Sequence, residues 1–510
     1  MIFNPERDSN RIMMDDTSEN LPNLLQTAVY EQTLRLYHEG RHEEILESID
    51  AVIPDALSIP MLSVAASSAY ILKRYTRAEV ILRNISALNP TAETYNDLGV
   101  VLKTLKRFDE ALSVYRKAIE IAPENATLFN NIANVFKELD AFEDAEAAYI
   151  HAITLNPAYA NAHHNLGKLY KEFNLYEKAE YSYREALRYE PGSIEAQANL
   201  GYLLLSEGRF EEGWPLYETR YDLSLNPTFA SPDVSAPRWQ GESLKGKSIL
   251  IVPEQGYGDE IQFVRYLPLL KRHTPARIIL MCKPPLHRLF SVLEAIDHII
   301  TSVEDAPSYD CWSYLLSLPM YLHTTLDTIP AQLPYLHLHD TWMDKRLGLN
   351  SHDYRVGVVW RGSSLHDNDA NRSLPDLSSL SPLWNLRGIT YVSLQKELSD
   401  QETEALDTLG IINMGKNLRD FADTATVISQ LDLIISVDTA VAHLAGALGK
   451  ECWVLLPAQG CDWRWMRDRN DSPWYPGIVR LFRQTIPGEW KEPLTEIVEA
   501  LSDRIALPIG

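Results

Sequence analysis

Between residues 89 and 221 the small, apolar and aromatic positions recur at a fixed period. Small residues stand at Gly99, Ala133, Gly167 and Gly201, each 34 residues from the last. Twelve positions after each comes another, Ala111, Ala145, Ala179 or Gly213, and four further on a tyrosine, Tyr115, Tyr149, Tyr183 or Tyr217. Ala118, Ala152 and Ala186 follow, and Pro123, Pro157 and Pro191 mark the repeat ends. Backbones of two helices approach closely only where Gly or Ala permits it, and a proline ends a helix. The pattern therefore predicts antiparallel helical pairs, with a tyrosine filling the gap beside each small residue. Ala78 precedes Ala111 by 33, Pro90 precedes Pro123 by 33, and GRHEEIL (40–46) resembles GRFEEGW (208–214). The array is thus read as about six pairs over 22–221, the first two degenerate. Residues 1–21 are polar and charged, and disorder is expected there.

A 34-residue helix–turn–helix with these fixed positions is the tetratricopeptide (TPR) signature. At 222 the pattern changes. Residues 222–244 hold three prolines and little periodicity, and read as a linker. Beyond them, short apolar runs at 248–255, 276–282, 355–362, 389–395, 431–438, 451–457 and 479–484 read as buried strands, several separated by helical patterns. That alternation predicts parallel sheets with helices on both faces. A boundary near 345–354 divides them into α/β units over 245–350 and 351–510, facing each other across a cleft. The fold class is α plus α/β, a helical solenoid followed by a pair of Rossmann-like domains. Ligands of such sheets bind at the carboxyl ends of the strands.

Charge narrows the partners. The 510 residues carry 47 Lys and Arg against 70 Asp and Glu, a net charge of −23. Nucleic-acid binding needs clustered positive charge and is disfavoured. The four cysteines, at 282, 311, 452 and 461, form no CxxC pair, which disfavours zinc and disulfide frameworks and suits a reducing compartment. No apolar run approaches a membrane span, and the first residues lack an apolar signal-peptide core, so a cytoplasmic location is expected.

Four stretches carry candidate chemistry. In EQGYGDEIQFVRY (254–266), after the first strand, Gly256 and Gly258 permit a sharp turn and close ligand approach, and Asp259 and Glu260 fall at a helix start. Asp259 is the candidate general base; the plain alternative is a helix cap. In SVDTAVAHLAGALG (436–449), Asp438 and Thr439 close a strand, and a slim helix begins at Ala440 and offers bare N–H groups to a diphosphate. His443 reads equally as a core histidine. In WRGSSLHDNDANRS (360–373), Arg361, His366, Asn368 and Arg372 lie at a strand's carboxyl end, where a cation could clamp a leaving diphosphate. DND at 367–369 is discounted as a metal motif. In CDWRWMRDRNDSPWYP (461–476), Trp463, Trp465 and Trp474 either cover the core, as is expected for most of the aromatics, or Arg464 or Arg469 reaches the cleft and an aromatic stacks on the base or sugar.

SVDTAVAHLAGALG resembles the phosphate-binding signature of the heptosyltransferase-like glycosyltransferases, and GYGDEI resembles their GD-containing first loop. The likeness covers roughly 245–505, and the TPR fusion resembles bacterial TPR–glycosyltransferases, some of which modify flagellin, and in outline the O-GlcNAc transferases. The resemblance implies an inverting, metal-independent GT-B enzyme. Asp259 would be its base, with Gly256, Gly258, Arg361, Arg372, Asp438, Thr439, Ala440 and His443 on the nucleotide-sugar donor and no other cofactor. Ala440 departs from the family's usual Gly, and the first α/β unit is short. The expected function is sugar transfer to Ser or Thr of a protein recruited by the repeats. The rivals are a lipopolysaccharide sugar transferase and a non-catalytic TPR adaptor. Asp97, Asn131, Asn165 and Asn199 stand two residues before each small residue. The three Asn either hold an acceptor main chain, as in the O-GlcNAc transferases, or bond between repeats and stiffen the solenoid.

Overall fold

A computed structural model describes residues 21–50, 58–226, 232–339, 342, 353–366 and 368–506. The expectation of disorder lies almost wholly outside these residues, as do Asp367 and most of the 345–354 boundary. The chain divides into two compact units, 1–196 and 197–510.

Among the described residues, the first unit is all helix: α1 (Leu21–His38), α2 (His42–Asp50), α3 (Ile59–Ile71), α4 (Tyr75–Leu88), α5 (Ala92–Thr104), α6 (Phe108–Ile121), α7 (Ala126–Glu138), α8 (Phe142–Leu155), α9 (Ala160–Glu172), α10 (Tyr176–Tyr189) and the start of α11 (Ile194–Ser206). The tyrosines do fill the gaps beside the small residues. A Cβ added to Gly99 would meet the Tyr115 ring at 2.6 Å, and one on Gly167 the Tyr183 ring at 2.7 Å. Tyr115, Tyr149 and Tyr183 are fully buried, as are Ala111, Ala118, Ala145, Ala152, Ala179 and Ala186. Each pair turns through a left-handed residue: Gly40, Lys73, Lys106, Asp140, Asn174 and, in the second unit, Gly208. Only two of the six are glycine, so the turn was visible in sequence as GR at 40 and 208 and hidden elsewhere.

The last pair behaves differently. After α11, α12 (Phe210–Tyr217) completes it, but the compact unit ends at 196 rather than 221. The reason is apolar: Leu205, Phe210, Trp214 and Tyr217 are buried in one core with Trp239, Trp463 and Trp474 of the α/β region. The 222–244 stretch is likewise anchored, since Trp239 is fully buried and its N–H donates to the Trp312 carbonyl at 2.7 Å.

The second unit holds two all-parallel sheets. One orders β1 (Ser248–Val252), β2 (Arg277–Met281), β3 (His298–Ile300) and β4 (Cys311–Tyr314) as β3-β2-β1-β4. The other contains β5 (Tyr354–Val359), β6 (Ile389–Ser393), β7 (Ile412–Asn413), β8 (Leu433–Val437), β9 (Cys452–Leu456) and β10 (Val479–Arg483), in the order β10-β9-β8-β5-β6-β7. Counted from its own first strand, the six-stranded sheet runs 3-2-1-4-5-6, the Rossmann order, and the four-stranded sheet runs 3-2-1-4. Each order reverses once, between β1 and β4 and between β5 and β8. At such a reversal the connections leave to opposite faces and open a crevice at the carboxyl ends. The strands β3, β4 and β7, of two to four residues, are additions to the sequence reading; they are too short for a distinct apolar pattern.

A left-handed turn costs a lysine about 1 kcal/mol that glycine avoids. Lys106→Gly is therefore expected to raise the stability of the helical unit by about 0.5–1 kcal/mol. Thermal unfolding followed by circular dichroism reads this as an upward shift in Tm.

Candidate functional site

Three of the four chemistry-bearing loops leave carboxyl ends at the two reversal points: 253–259 after β1, 360–373 after β5 and 438–440 after β8. The fourth, 457–475, follows β9. The first and third meet directly. After β1 the chain turns at Gly256 into the short helix α13 (Tyr257–Phe263), and after β8 it enters α20 (Ala440–Ala447). (The intervening helices are α14, Leu267–Lys271; α15, Pro284–Phe290; α16, Leu318–Tyr321; α17, Asp369–Arg372; α18, Asp400–Leu409; α19, Phe421–Ser429.) The Gly258 α-carbon faces the start of α20 so closely that a Cβ would stand 2.8 Å from His443 Cδ2 and 3.4 Å from Ala440 Cα. Gly446, a turn beyond His443, is bare for a similar reason, since a Cβ there would run into the Tyr475 ring.

Thr439 is the N-cap residue of α20, yet its side chain does not cap the helix. Its Oγ1 instead hydrogen-bonds Ser436 Oγ at 2.9 Å. His443 is buried, with Nδ1 2.9 Å from the Tyr475 hydroxyl and its ring stacked 5.1 Å from Trp465. Burial, with the Arg464 guanidinium nearby, pulls its imidazole down to about 3, so it is neutral at physiological pH. Nε2 lies 4.0 Å from Asp438 Oδ1. Burial pushes the Asp438 carboxyl up to about 6, and the Asp462 carboxylate adds to the shift.

Asp259 is not a free carboxylate. Its Oδ1 accepts from Nη2 of Arg464, a side chain only 5% exposed. The same guanidinium donates through Nη1 to Asp462 Oδ2 at 2.7 Å. Burial alone would raise Asp462, but Arg464 beside it holds its carboxyl below the usual range. Of the two arginines weighed in the 461–476 loop, Arg464 enters the site, while Arg469 pairs with Asp471 at 2.7 Å. Trp463, Trp465 and Trp474 are buried. Asp462 was missed in sequence, because a single aspartate in a loop rich in aromatics and arginines carries no pattern of its own.

The 360–373 loop splits. Arg372 packs over Gly362, where a Cβ would lie 2.5 Å from Nη2, and its charge acts on Asp438. Arg361 does not join them. It pairs with Glu402 at 2.9 Å and lines a cavity of about 530 Å³ together with Leu377, Glu397, Leu398 and Ser399. Both candidate cations of this loop carry a carboxylate partner, Arg361 in Glu402 and Arg372 in Asp369 at 3.4 Å. Asn368 holds the Gly460 carbonyl at 2.8 Å, a loop-to-loop bond.

The crevice of the four-stranded sheet is filled from within. Arg220, 4% exposed, reaches Glu254 beyond β1 at 3.1 Å and Ser317 beyond β4 at 3.0 Å, and Tyr221 stacks 4.2 Å from Tyr314. Glu254 is buried, and burial pushes its carboxyl up to about 7 against the pull of Arg220.

In the first unit the asparagines bond to one another. Asn131 Nδ2 donates to Asn96 Oδ1 at 2.8 Å, Asn165 Nδ2 to Asn130 Oδ1 at 2.9 Å, and Asn130 Nδ2 to Asn131 Oδ1 at 3.2 Å. Of the two readings, this is the stiffening one for Asn131 and Asn165, and it draws in Asn96 and Asn130. These bonds engage one N–H of the Asn131 and Asn165 carboxamides between neighbouring repeats. Asn199 lies half-buried in α11, within the second unit.

His443 makes a testable pH signature. Its imidazole titrates near 3 when folded and near 6.5 when unfolded. The unfolded chain therefore binds the extra proton between these values, and the His443 contribution to stability is complete above about 6.5 and falls away as pH drops. Asp438, raised to about 6, works in the opposite sense, favouring the fold at low pH and losing that contribution as pH rises through 6. In His443→Gln the acid-side loss disappears. Relative to the unsubstituted protein, the variant should gain roughly 2–3 kcal/mol as pH falls from 7 to 4.5. Parallel melts at the two pH values check this.

Comparison with known proteins places tetratricopeptide repeat models over residues 90–156 and 160–193. A curated relative, "Protein FlbA" of Caulobacter vibrioides, is 28% identical over 332 residues. That match covers 59% of this chain, more than the first unit contains, and this chain spans about half (54%) of the relative's length. Among solved structures, a thermophilic TPR protein in Thermus thermophilus covers 32% of this chain and 89% of its own, at 23% identity and TM-score 0.28. MamA covers 32% and 92%, at 20% identity and TM-score 0.27. The first TPR of Spaghetti (RPAP3), bound to an HSP90 peptide, covers 22% and 89%, at 28% identity and TM-score 0.21. The N-terminal region of the chain is a tetratricopeptide-repeat solenoid, followed by parallel-strand α/β sheets.

Proposed function

We propose that this protein is an inverting GT-B-type glycosyltransferase. It moves a sugar from a nucleotide donor to a Ser or Thr hydroxyl of a protein recruited by the repeats. The carrying observation is the contact of Gly258 with Ala440 and His443, which joins the loop bearing Asp259 to an uncapped helix start at the carboxyl end of β8. An uncapped helix start takes a diphosphate through bare N–H groups. Arg372 lies on the same side, near Asp438, and would share the developing phosphate charge. The cavity beside Arg361 would hold the nucleoside.

In the reaction, Asp259 accepts the hydroxyl proton as the hydroxyl oxygen bonds to the anomeric carbon. The bond from that carbon to the phosphate oxygen breaks on the opposite face, and its electron pair leaves with the nucleoside diphosphate. A protein acceptor is favoured over a lipid-linked saccharide by the filled crevice of the four-stranded sheet. There Arg220 bonds Glu254 and Ser317, and Tyr221 stacks on Tyr314. Among the described residues no helix is long and apolar enough to cross a membrane. The resemblance to bacterial TPR–glycosyltransferases makes flagellin an acceptor to test first.

The test is intact mass of candidate acceptors co-expressed with the protein and several nucleotide-sugar pathways. A discrete mass gain that disappears with Asp259→Asn is expected, and the variant's turnover should fall by roughly 10²–10⁴-fold while the fold is kept. Acceptors unchanged in mass across the whole panel would contradict the proposal.

A further inference from the structure

We infer that Arg464, pinned by Asp462, is the positioning residue that orients Asp259 for proton transfer. The inference rests on the reading of Asp259 as the base. The Arg464 guanidinium is held at both terminal nitrogens, while its buried Nε has no hydrogen-bond partner. Asp462 accepts from its guanidinium at 2.7 Å and from its backbone N–H at 2.9 Å, so one carboxylate holds both ends of the residue. The guanidinium carbon lies 4.7 Å from the Trp463 ring and 5.4 Å from the Phe263 ring. From that socket the other terminal nitrogen reaches Asp259 Oδ1. With Oδ1 engaged, Oδ2 lies over Gly256, 3.2 Å from where a Cβ would stand. A side chain there would crowd the oxygen left to take the proton.

Burial of this group is costly. An arginine between two carboxylates gives up hydration that hydrophobic residues of the same volume would not need to surrender, and such clusters often stabilise no more than apolar packing does. The surrounding core, with Phe263, Trp463 and Trp474, already supplies apolar packing. What the ion pair adds is direction. It selects one carboxylate oxygen and fixes the rotation of the group relative to the start of α20. A base oriented by a third group is the general arrangement by which side-chain bases are aimed. Here the aiming group comes from the loop after β9, on the other sheet from the base, so the base is set only when both sheets are in place.

The test compares Arg464→Lys, Asp462→Asn, Asp259→Asn and the Asp259→Asn/Arg464→Lys pair in the full chain. The assay uses the donor and acceptor found by mass gain, or release of nucleoside diphosphate from a panel of UDP-, GDP- and ADP-sugars. Arg464→Lys is expected to lower kcat by about 10–100-fold, as loss of an orienting partner does, with donor KM within about twofold. The paired variant should be no slower than Asp259→Asn alone, because an aiming group has nothing left to aim. Asp462→Asn should give a smaller kcat loss with KM again held, and it decides the matter if Arg464→Lys does not fold. Multiplied losses in the paired variant, or a raised KM with kcat intact, would overturn the positioning role and leave Asp259 as base. Normal turnover in Asp259→Asn, or no turnover with any donor, would instead overturn the underlying reading.

Discussion

Much of the candidate site depends on one close approach, the bare α-carbon of Gly258 set against Ala440 and His443. The two sheets carry their loops on separate scaffolds, and only a residue without a side chain lets these two helix starts touch. The contact puts the loop of Asp259 beside the α20 N-terminus. His443 sits on the far side of the contact, neutral and stacked, and serves as the surface that Gly258 meets.

A second consequence concerns charge. In a protein of net charge −23, Asp259, Asp438 and Asp462 come together around one arginine from three different loops. Carboxylates this near one another and this buried must be paired or protonated. Arg464 pairs two of them, and burial raises the third. The aromatic residues of the last helical pair complete the enclosure: Phe210, Trp214 and Tyr217 pack on Trp463 within 5.4 to 6.3 Å, so the end of the helical array forms a section of the wall behind the site.

The repeats were legible because their physics is local. A small residue, its tyrosine partner and a terminal proline recur in register, and periodicity reveals them. The longer strands were legible as apolar runs, and the loops after β1, β5 and β8 could be placed at carboxyl ends from chain order alone. Two kinds of information were not local. β4 has only four residues, yet it creates the reversal in the first sheet whose crevice Arg220 fills. The partners of charged residues were the other: Arg361 and Arg372 look equivalent in sequence, but one meets Glu402 and the other the neighbourhood of Asp438. Likewise the asparagine series was visible, but its bonding between repeats, from Asn131 to Asn96 and Asn165 to Asn130, is a tertiary fact.

The most direct measurement is a crystal structure of the full chain grown with a nucleoside diphosphate, UDP or GDP. The account predicts its phosphates at the N–H groups that open α20, beside Gly258, with Arg372 facing them and the nucleoside in the cavity next to Arg361. Phosphates bound elsewhere, with the N–H groups that open α20 unoccupied, would contradict it.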